Sequence, residues 1–228
     1  EMKINDEMVR QQYIAKYPIQ QLFSAPIEEF LEVHVFEKGE YICEELMPPE
    51  RLYFLVKGKV KLYMIHQDGN VSLAQYYEAG DILGELEFLG IRTQSQSIQA
   101  VEPSVCLALS FQEHGSLILS DAVFLRNLSK LIAEKMLRSV SKLVATQTYP
   151  LENRMAAYLL EKEGEVGRGN WVRVSLTDLA QYLGTSYRHL SRVIKHFDEA
   201  GWIDRERGRM RISNYKALAE KVSLMQIE

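Results

Sequence analysis

Three features of the sequence predict an α+β fold made of an N-terminal antiparallel β-roll, one long dimerisation helix and a C-terminal winged helix-turn-helix. Short runs rich in β-branched and aromatic residues, separated by turn residues, fill residues 33–109. Strands at that spacing form a small antiparallel barrel or roll whose interior can hold one ligand. Residues 121–148 then carry an unbroken apolar seam and neither Gly nor Pro. The stretch Leu176–Phe197, LTDLAQYLGTSYRHLSRVIKHF, reads as two short amphipathic helices joined by a glycine turn.

Residues 1–31 read as helical and irregular, interrupted by Pro18 and Pro26. Met8–Tyr17 makes one amphipathic helix, and Pro26 opens a short one containing Ile27, Phe30 and Leu31. From Val33 the strand runs are VHVF, YIC, LYFLV, VKLYMI, VSLAQYY, SIQAV and VCLAL. Lys38-Gly39, Pro48-Pro49, Lys57-Gly58, Asp68-Gly69 and Ala79-Gly80-Asp81 punctuate them, with Asp68-Gly69 the strongest hairpin signal. Cys43 and Cys106 lie in apolar runs and read as buried structural thiols, too few for a disulfide scaffold or a four-thiolate cluster.

The long helix, about 28 residues, would span about 42 Å. Leu125, Leu128, Ile132, Met136, Val140 and Leu143 recur along it at spacings of three and four, and Leu131 and Leu137 broaden the stripe. The core of the roll accounts for the upper part. Persistence through Leu143 and Val144 favours a second copy of the same helix, a homodimer with Leu128, Ile132, Met136, Val140 and Leu143 at its interface. Tyr149-Pro150 breaks the helix, because the residue before Pro is pushed out of the α region. That break divides the chain into a β-roll with N-terminal helices (1–120), a dimerisation helix (121–149) and a winged helix-turn-helix (150–228), with the hinge at Tyr149-Pro150.

In the third segment Leu151–Glu163 reads as a helix with Met155, Ala156, Leu159 and Leu160 inward, followed by a loop through Gly164, Gly167 and Gly169 and a short strand from Trp171 to Val174. Leu179 and Leu183 stripe the first motif helix, Ala180 lets the pair approach, Gly184 permits the turn, and Thr185 or Ser186 caps the second helix. Leu190, Val193, Ile194 and Phe197 share one face of that second helix; Tyr187, Arg188, Ser191, Arg192 and Lys195 share the other. An exposed second helix carrying cations and hydrogen-bonding groups is the arrangement that reads bases in a DNA major groove. A hairpin wing follows around Gly208, with Arg205, Arg207, Arg209 and Arg211 alternating along it so that several can face phosphates together. Thr177, Ser186, Arg207 and Arg209 are the phosphate-contact candidates. The bland alternatives are an ordinary helical hairpin and an edge hairpin protected by arginines.

Composition is that of a globular chain, 46% hydrophobic and 25% charged. The net charge of −4 excludes a uniformly basic coat. Residues 168–211 nevertheless hold nine Lys or Arg against five Asp or Glu, whereas residues 1–150 carry a net −6, so positive charge gathers around the helix-turn-helix. No run of 18 apolar residues and no apolar signal-peptide core is seen, so no membrane partner and a cytoplasmic location are expected.

The order roll, long helix, break and winged helix-turn-helix resembles the CRP/FNR family of bacterial transcription regulators, from about His34 to Asn214. The most specific piece in the roll is Gly80-Asp81-Ile82-Leu83-Gly84-Glu85-Leu86, similar to the G-D-x-x-G-E-L opening of the family's phosphate-binding cassette. The resemblance implies a cyclic-nucleotide-binding-like roll with an effector pocket at Gly84, Glu85, Leu86, Gln94, Ser95 and Ser139. It also implies a palindromic double-stranded DNA operator, RNA polymerase as a partner, and no enzymatic activity. The departures bear on the effector. Where cyclic-nucleotide-binding members carry Arg-Ser-Ala or Arg-Thr-Ala, this chain has Gln94-Ser95-Gln96, and Arg92 lies two residues early. An anion inside a roll must be neutralised, so the expectation is no cyclic AMP, an effector of unknown identity and no cofactor. The iron–sulfur members' cysteine cluster is absent, and His34, His66 and His114 are isolated candidates for a haem ligand, so no metal is expected. In the recognition helix the family's Arg or Val, then Glu, then Arg correspond to Tyr187, Arg188 and Arg192. Arg192 is suited to guanine O6 and N7, while Arg188 reverses the sign of the Glu that would accept from cytosine, so the operator should differ from TGTGA or TTGAT half-sites.

Two other readings compete. A cyclic-nucleotide-type sensor module acting on a protein partner is opposed by the basic face of Ser186–Phe197. An enzyme would rest on Glu85 and Glu87, alternate residues of a loop, with no metal-ligand spacing, nucleophile elbow or Walker loop beside them.

Overall fold

The computed structural model describes residues 2–4, 6–44, 47, 50–65, 71–91, 96–223 and 225. Asp68-Gly69, Arg92, Gln94, Ser95 and His66 lie outside the described residues. The described chain packs as two compact units, residues 1–136 and 137–228, whose boundary falls inside the long helix rather than at Tyr149-Pro150.

The first unit opens with strand β1 (Met2–Ile4), in a region whose sequence predicts irregular chain, and helix α1 (Glu7–Lys16). The Asp6 carboxylate caps α1 by accepting from the Met8 and Val9 amides at 2.8 and 3.3 Å. Two 3₁₀ turns, Ile19–Leu22 and Glu28–Phe30, lead into β2 (Glu32–Phe36). The remaining roll elements are β3 (Tyr41–Cys43), β4 (Arg51–Lys57), β5 (Lys59–Ile65), β6 (Val71–Glu78), β7 (Ile82–Leu83), helix α2 (Glu85–Phe88), β8 (Gln96–Ala100) and β9 (Ser104–Ser110). Among the described residues these strands form two antiparallel sheets, in the orders β1-β2-β9-β4-β7 and β3-β8-β5-β6. The β5–β6 pairing runs to Ile65 opposite Val71.

The runs LYFLV and VCLAL are apolar at every position because the first sheet is covered on both faces. On β4, Leu52, Phe54 and Val56 face a core shared with the N-terminal helices and the long helix. Tyr53 and Leu55, pointing the other way, join Phe36, Ile42, Val60, Ile98 and Ala108 between the two sheets. Cys43 and Cys106 are both buried and are not joined in a disulfide.

Helix α3 (Phe111–Ser120) has no counterpart in the sequence reading; α4 (Ala122–Thr148) is the expected long helix. Asp121 starts α4, its carboxylate accepting from the amides of Val123 and Phe124 at 3.0 Å and from Ser24 and Ala25 at 2.6 and 3.0 Å. The apolar seam divides along its length. Phe124 and Leu128 are buried in the roll's outer core, and Leu125, Leu131 and Ile132 pack against it. Leu128 is therefore corrected from interface to core: at 1% exposure it has no surface left for a partner. Farther along, Met136, Leu137, Val140, Leu143 and Val144 are exposed apolar side chains.

In the second unit α5 (Leu151–Val166) runs through Gly164, which the sequence places in a loop, and ends at Gly167, where φ is +91°. Then follow β10 (Val172–Arg173), α6 (Leu176–Tyr182), α7 (Tyr187–Glu199), β11 (Ile203–Glu206), β12 (Arg209–Ile212) and α8 (Tyr215–Ser223), the last also without counterpart in the sequence reading. The three strands order β10-β12-β11. Leu159, Leu190, Phe197 and Leu218 are fully buried in this unit's core. No helix among the described residues is long and apolar enough to cross a membrane.

Candidate nucleic-acid interface and roll pocket

Helix α7 is placed by several local features. The Ser186 hydroxyl oxygen accepts from the His189 amide at 3.2 Å, so of the two capping candidates it is Ser186 that caps the helix. Gly184 holds φ at +60°, and a Cβ there would lie 3.1 Å from Thr146 Cγ2. The Thr185 amide donates to the Ala180 carbonyl at 2.9 Å, closing the turn over the small side chain. Arg154 on α5 donates to the Leu183 carbonyl and so fixes the end of α6. With Leu190, Val193, Ile194 and Phe197 buried, the helix turns Tyr187, Arg188, Arg192 and Lys195 outward and leaves Ser191 half-buried beside them. Lys195 pairs loosely with Glu199 at 3.4 Å. Arg188 and Arg192 have no side-chain partner among the described residues, and their guanidiniums are open to an acceptor.

The wing is less uniform than its spacing suggests. The register pairs Glu206 with Arg209 and Asp204 with Arg211, so those four side chains share one face. Arg209 Nε lies 2.8 Å from Glu206, and Arg211 Nε lies 3.1 Å from Asp204. Hydrogen bonding from Arg211 holds the Asp204 carboxyl below its ordinary pKa. Both guanidiniums also stand over the Trp171 ring, 4.8 and 5.0 Å from its centroid. Arg205 has the opposite parity, that of Met210, and its Nε lies 3.5 Å from Asp198 of α7. The four arginines thus do not face one way, because the two-residue turn Arg207-Gly208 reverses the chain between them. Arg207 at that turn, Thr177 and Ser186 at the head of the motif, and Arg209 are all exposed. Arg173, which the sequence does not single out, lies opposite Arg209 in the register and is exposed too. A lone arginine in a two-residue strand carries no sequence signal for that role.

The roll holds a cavity of about 130 Å³ lined in part by Leu62, Tyr77, Gly84, Glu85, Leu86 and Lys135. Gly84, Glu85 and Leu86 of the cassette-like stretch are among its lining residues. Glu85 is buried, 8% exposed, and its Oε1 lies 2.7 Å from Lys135 Nζ. Ser139 is exposed and belongs to the second unit. Lys135 as a pocket residue escapes the sequence: an isolated lysine on a helix reads as solvated, and only the folded roll sets it beside Glu85. Among the described residues no group of three His, Cys, Asp or Glu is arranged to hold a metal.

Residues 33–121 match the cyclic nucleotide-binding domain family, and residues 153–221 match the Crp-like helix-turn-helix domain. The regulatory protein YeiL of Escherichia coli O157:H7 is 34% identical over 185 residues, 81% of this chain and 82% of that protein. The chain belongs to the CRP/FNR family of transcription regulators. A second CRP/FNR relative, the cyclic AMP receptor protein of Thermus thermophilus, is 28% identical over 172 residues, 75% of this chain and 79% of its own length. The crystal structure of a CRP-family transcriptional regulator from the same organism shares the fold, with a TM-score of 0.71 at 22% identity, covering 83% of this chain and 96% of that one. As a CRP/FNR regulator the chain carries a helix-turn-helix DNA-binding domain in its second unit and a cyclic nucleotide-binding-type roll in its first.

Proposed function

We propose that this regulator acts as a cytoplasmic homodimer that binds a palindromic operator, inserting α7 of each copy into successive major grooves about 34 Å apart. The observation that carries this is the pair Arg188 and Arg192: both are exposed on a helix whose other face is fully committed to the core. Arg192 reads guanine through O6 and N7, and Arg188, one turn earlier, does the same rather than accepting from cytosine. Tyr187, Ser191 and Lys195 complete the base-reading set; Thr177, Ser186, Arg207 and Arg209 contact phosphates. The exposed stretch of α4 from Met136 to Leu143 supports pairing of two copies, with Ile132 at its edge. RNA polymerase is the downstream partner. Any effector in the roll acts by binding the DNA-competent and incompetent states with different affinity.

Selection of sites from a random DNA pool by the full chain, with and without a metabolite mixture, tests the reading. Enrichment of a two-fold-symmetric, guanine-containing motif supports it. Binding without sequence preference at moderate salt would instead favour a sensor that acts on a protein partner.

A further inference from the structure

We propose that His189, at the head of α7, donates to a DNA backbone phosphate beside the bases that α7 reads, and that this contact makes DNA binding tighten as the pH falls. The inference rests on reading α7 as the helix that enters the major groove.

His189 is the third residue of α7 and is exposed; its main-chain amide is the one that Ser186 caps. At about 100° per residue it lies about 60° beyond Arg192 around the helix, at the border of the face that carries Arg188, Arg192 and Lys195. Side chains in the middle of such a face meet base edges, and those at its border meet the phosphates of the groove wall. The ring is loosely held: Nδ1 lies 3.4 Å from the Thr185 hydroxyl oxygen. Nε2, across the ring, has no partner among the described residues. When the Thr185 hydroxyl donates to Nδ1 of the neutral ring, the proton is on Nε2; in the charged ring both nitrogens donate. Nε2–H is therefore a donor in either state, and protonation at Nδ1 turns its contact with a phosphate into a charge-assisted one.

The charged groups around α7 are committed elsewhere. The helix packs chiefly on α5, α6 and β11. Arg154 of α5 is bound to the Leu183 carbonyl, Arg205 of β11 pairs with Asp198, and the β11 carboxylates Asp204 and Glu206 hold Arg211 and Arg209. Asp178 lies in the first turn of α6. None of these bonds or pairs with His189 among the described residues. On α7 itself its charged neighbours are Arg188 and, one turn on, Arg192, both cations. The protein thus supplies no carboxylate to hold a second proton on this ring, and a DNA phosphate does, because a nearby anion favours the imidazolium. Binding therefore takes up a proton at Nδ1, and affinity rises as pH falls through the range in which histidine titrates, about pH 8 to 5.

Fluorescence anisotropy of the full chain at constant ionic strength tests this, on the selected operator and on a duplex of random sequence. Wild type is compared with His189→Gln, which keeps a donor and loses the titration, and with His196→Gln, the other histidine of the second unit. From about pH 8 to about pH 6 wild type should bind both duplexes about 10-fold or more tightly, about 3-fold from each of two α7 helices. His189→Gln should bind as wild type does at the upper pH and stay there, and His196→Gln should respond as wild type does. Lys142, which burial brings down to about 8, also gains charge in this window, but it is present in every variant. Only a loss confined to His189→Gln therefore supports the proposal. An affinity of wild type that does not move with pH overturns it, and so does a response that persists in His189→Gln. Should His189→Gln not fold, His189→Arg decides: a permanent charge should give tight binding at both pH values, and a retained response overturns the proposal. Wild type that binds neither duplex at any pH defeats the DNA-binding reading itself, whereas binding that is indifferent to pH defeats this proposal alone.

Discussion

Arg209 turns its guanidinium onto Glu206, the residue directly across from it in the wing, with Nε 2.8 Å from the carboxylate. Both side chains are about half exposed, so the pair adds little to stability. Its consequence is for DNA, since a carboxylate at the wing repels phosphate and holds the cation that would bind it. Glu206→Gln is expected to tighten binding to random and specific DNA alike and to steepen the salt dependence by up to about one unit of slope, with unfolding free energy changed by less than about 0.5 kcal/mol. Fluorescence anisotropy across a salt series checks this; an unchanged slope would remove Arg209 from the phosphate contacts.

Arg188 and Arg192 differ from Arg205, Arg209 and Arg211 of the wing in lacking a carboxylate partner among the described residues. Alanine at either position should cost about 1–3 kcal/mol at the selected operator and little on random DNA. Equal losses on both DNAs would mean that the arginine only neutralises phosphate.

Gly184 combines a left-handed backbone with a close neighbour, Thr146 Cγ2 at 3.1 Å from the position of a Cβ. Gly184→Ala should lower the unfolding free energy by about 1–2 kcal/mol, read by urea denaturation, because the backbone strain is present whatever the methyl group displaces. A neutral result would show that the turn relaxes.

Val140 and Leu143 are about half exposed on α4, where an added charge disturbs no core of its own chain. Leu143→Glu should shift the sedimentation-equilibrium mass toward the monomer and weaken operator binding, with the helical circular dichroism signal largely retained. Leu128→Ala should behave differently: Leu128 is buried, so a loss of about 2–5 kcal/mol in stability is expected.

Burial would raise the pKa of Asp121, but the backbone amides of Ala25, Phe124 and Ser24 outweigh it and bring the carboxyl down to about 2. A depressed folded-state pKa gives stability that is present above the unfolded value near 4 and is lost as pH falls toward 2. Asp121→Asn should cost about 1 kcal/mol at pH 7 as a weakened cap and flatten the fall in stability between about pH 4 and 2, measured by urea unfolding at each pH.

Much of the architecture is legible in the sequence because its signals are local. The strand runs of the roll, the 27-residue helix, the glycine turn and the two faces of α7 follow from periodicities of two and 3.6 and from a few cap and turn residues. Two of the elements that escape have weak local signals: β1 is three residues long, and α3 contains Gly115; α8, which has neither Gly nor Pro, escapes as well. Parity in the wing escapes for a different reason. Arg205 and Arg209 are four positions apart, an even spacing, yet the turn at Arg207-Gly208 sends them to opposite faces.

By itself the sequence determined the fold class, the family resemblance and the cationic outer face of α7, because each depends on residues close together in the chain. The tertiary structure alone decided that Leu128 is core while Leu143 is surface, that Glu206 holds Arg209, and that Lys135 lies against Glu85. Those are statements about which residues share space, and burial and ion pairing depend on distances that chain spacing does not encode: Lys135 and Glu85 are 50 residues apart in sequence and 2.7 Å apart in the folded roll.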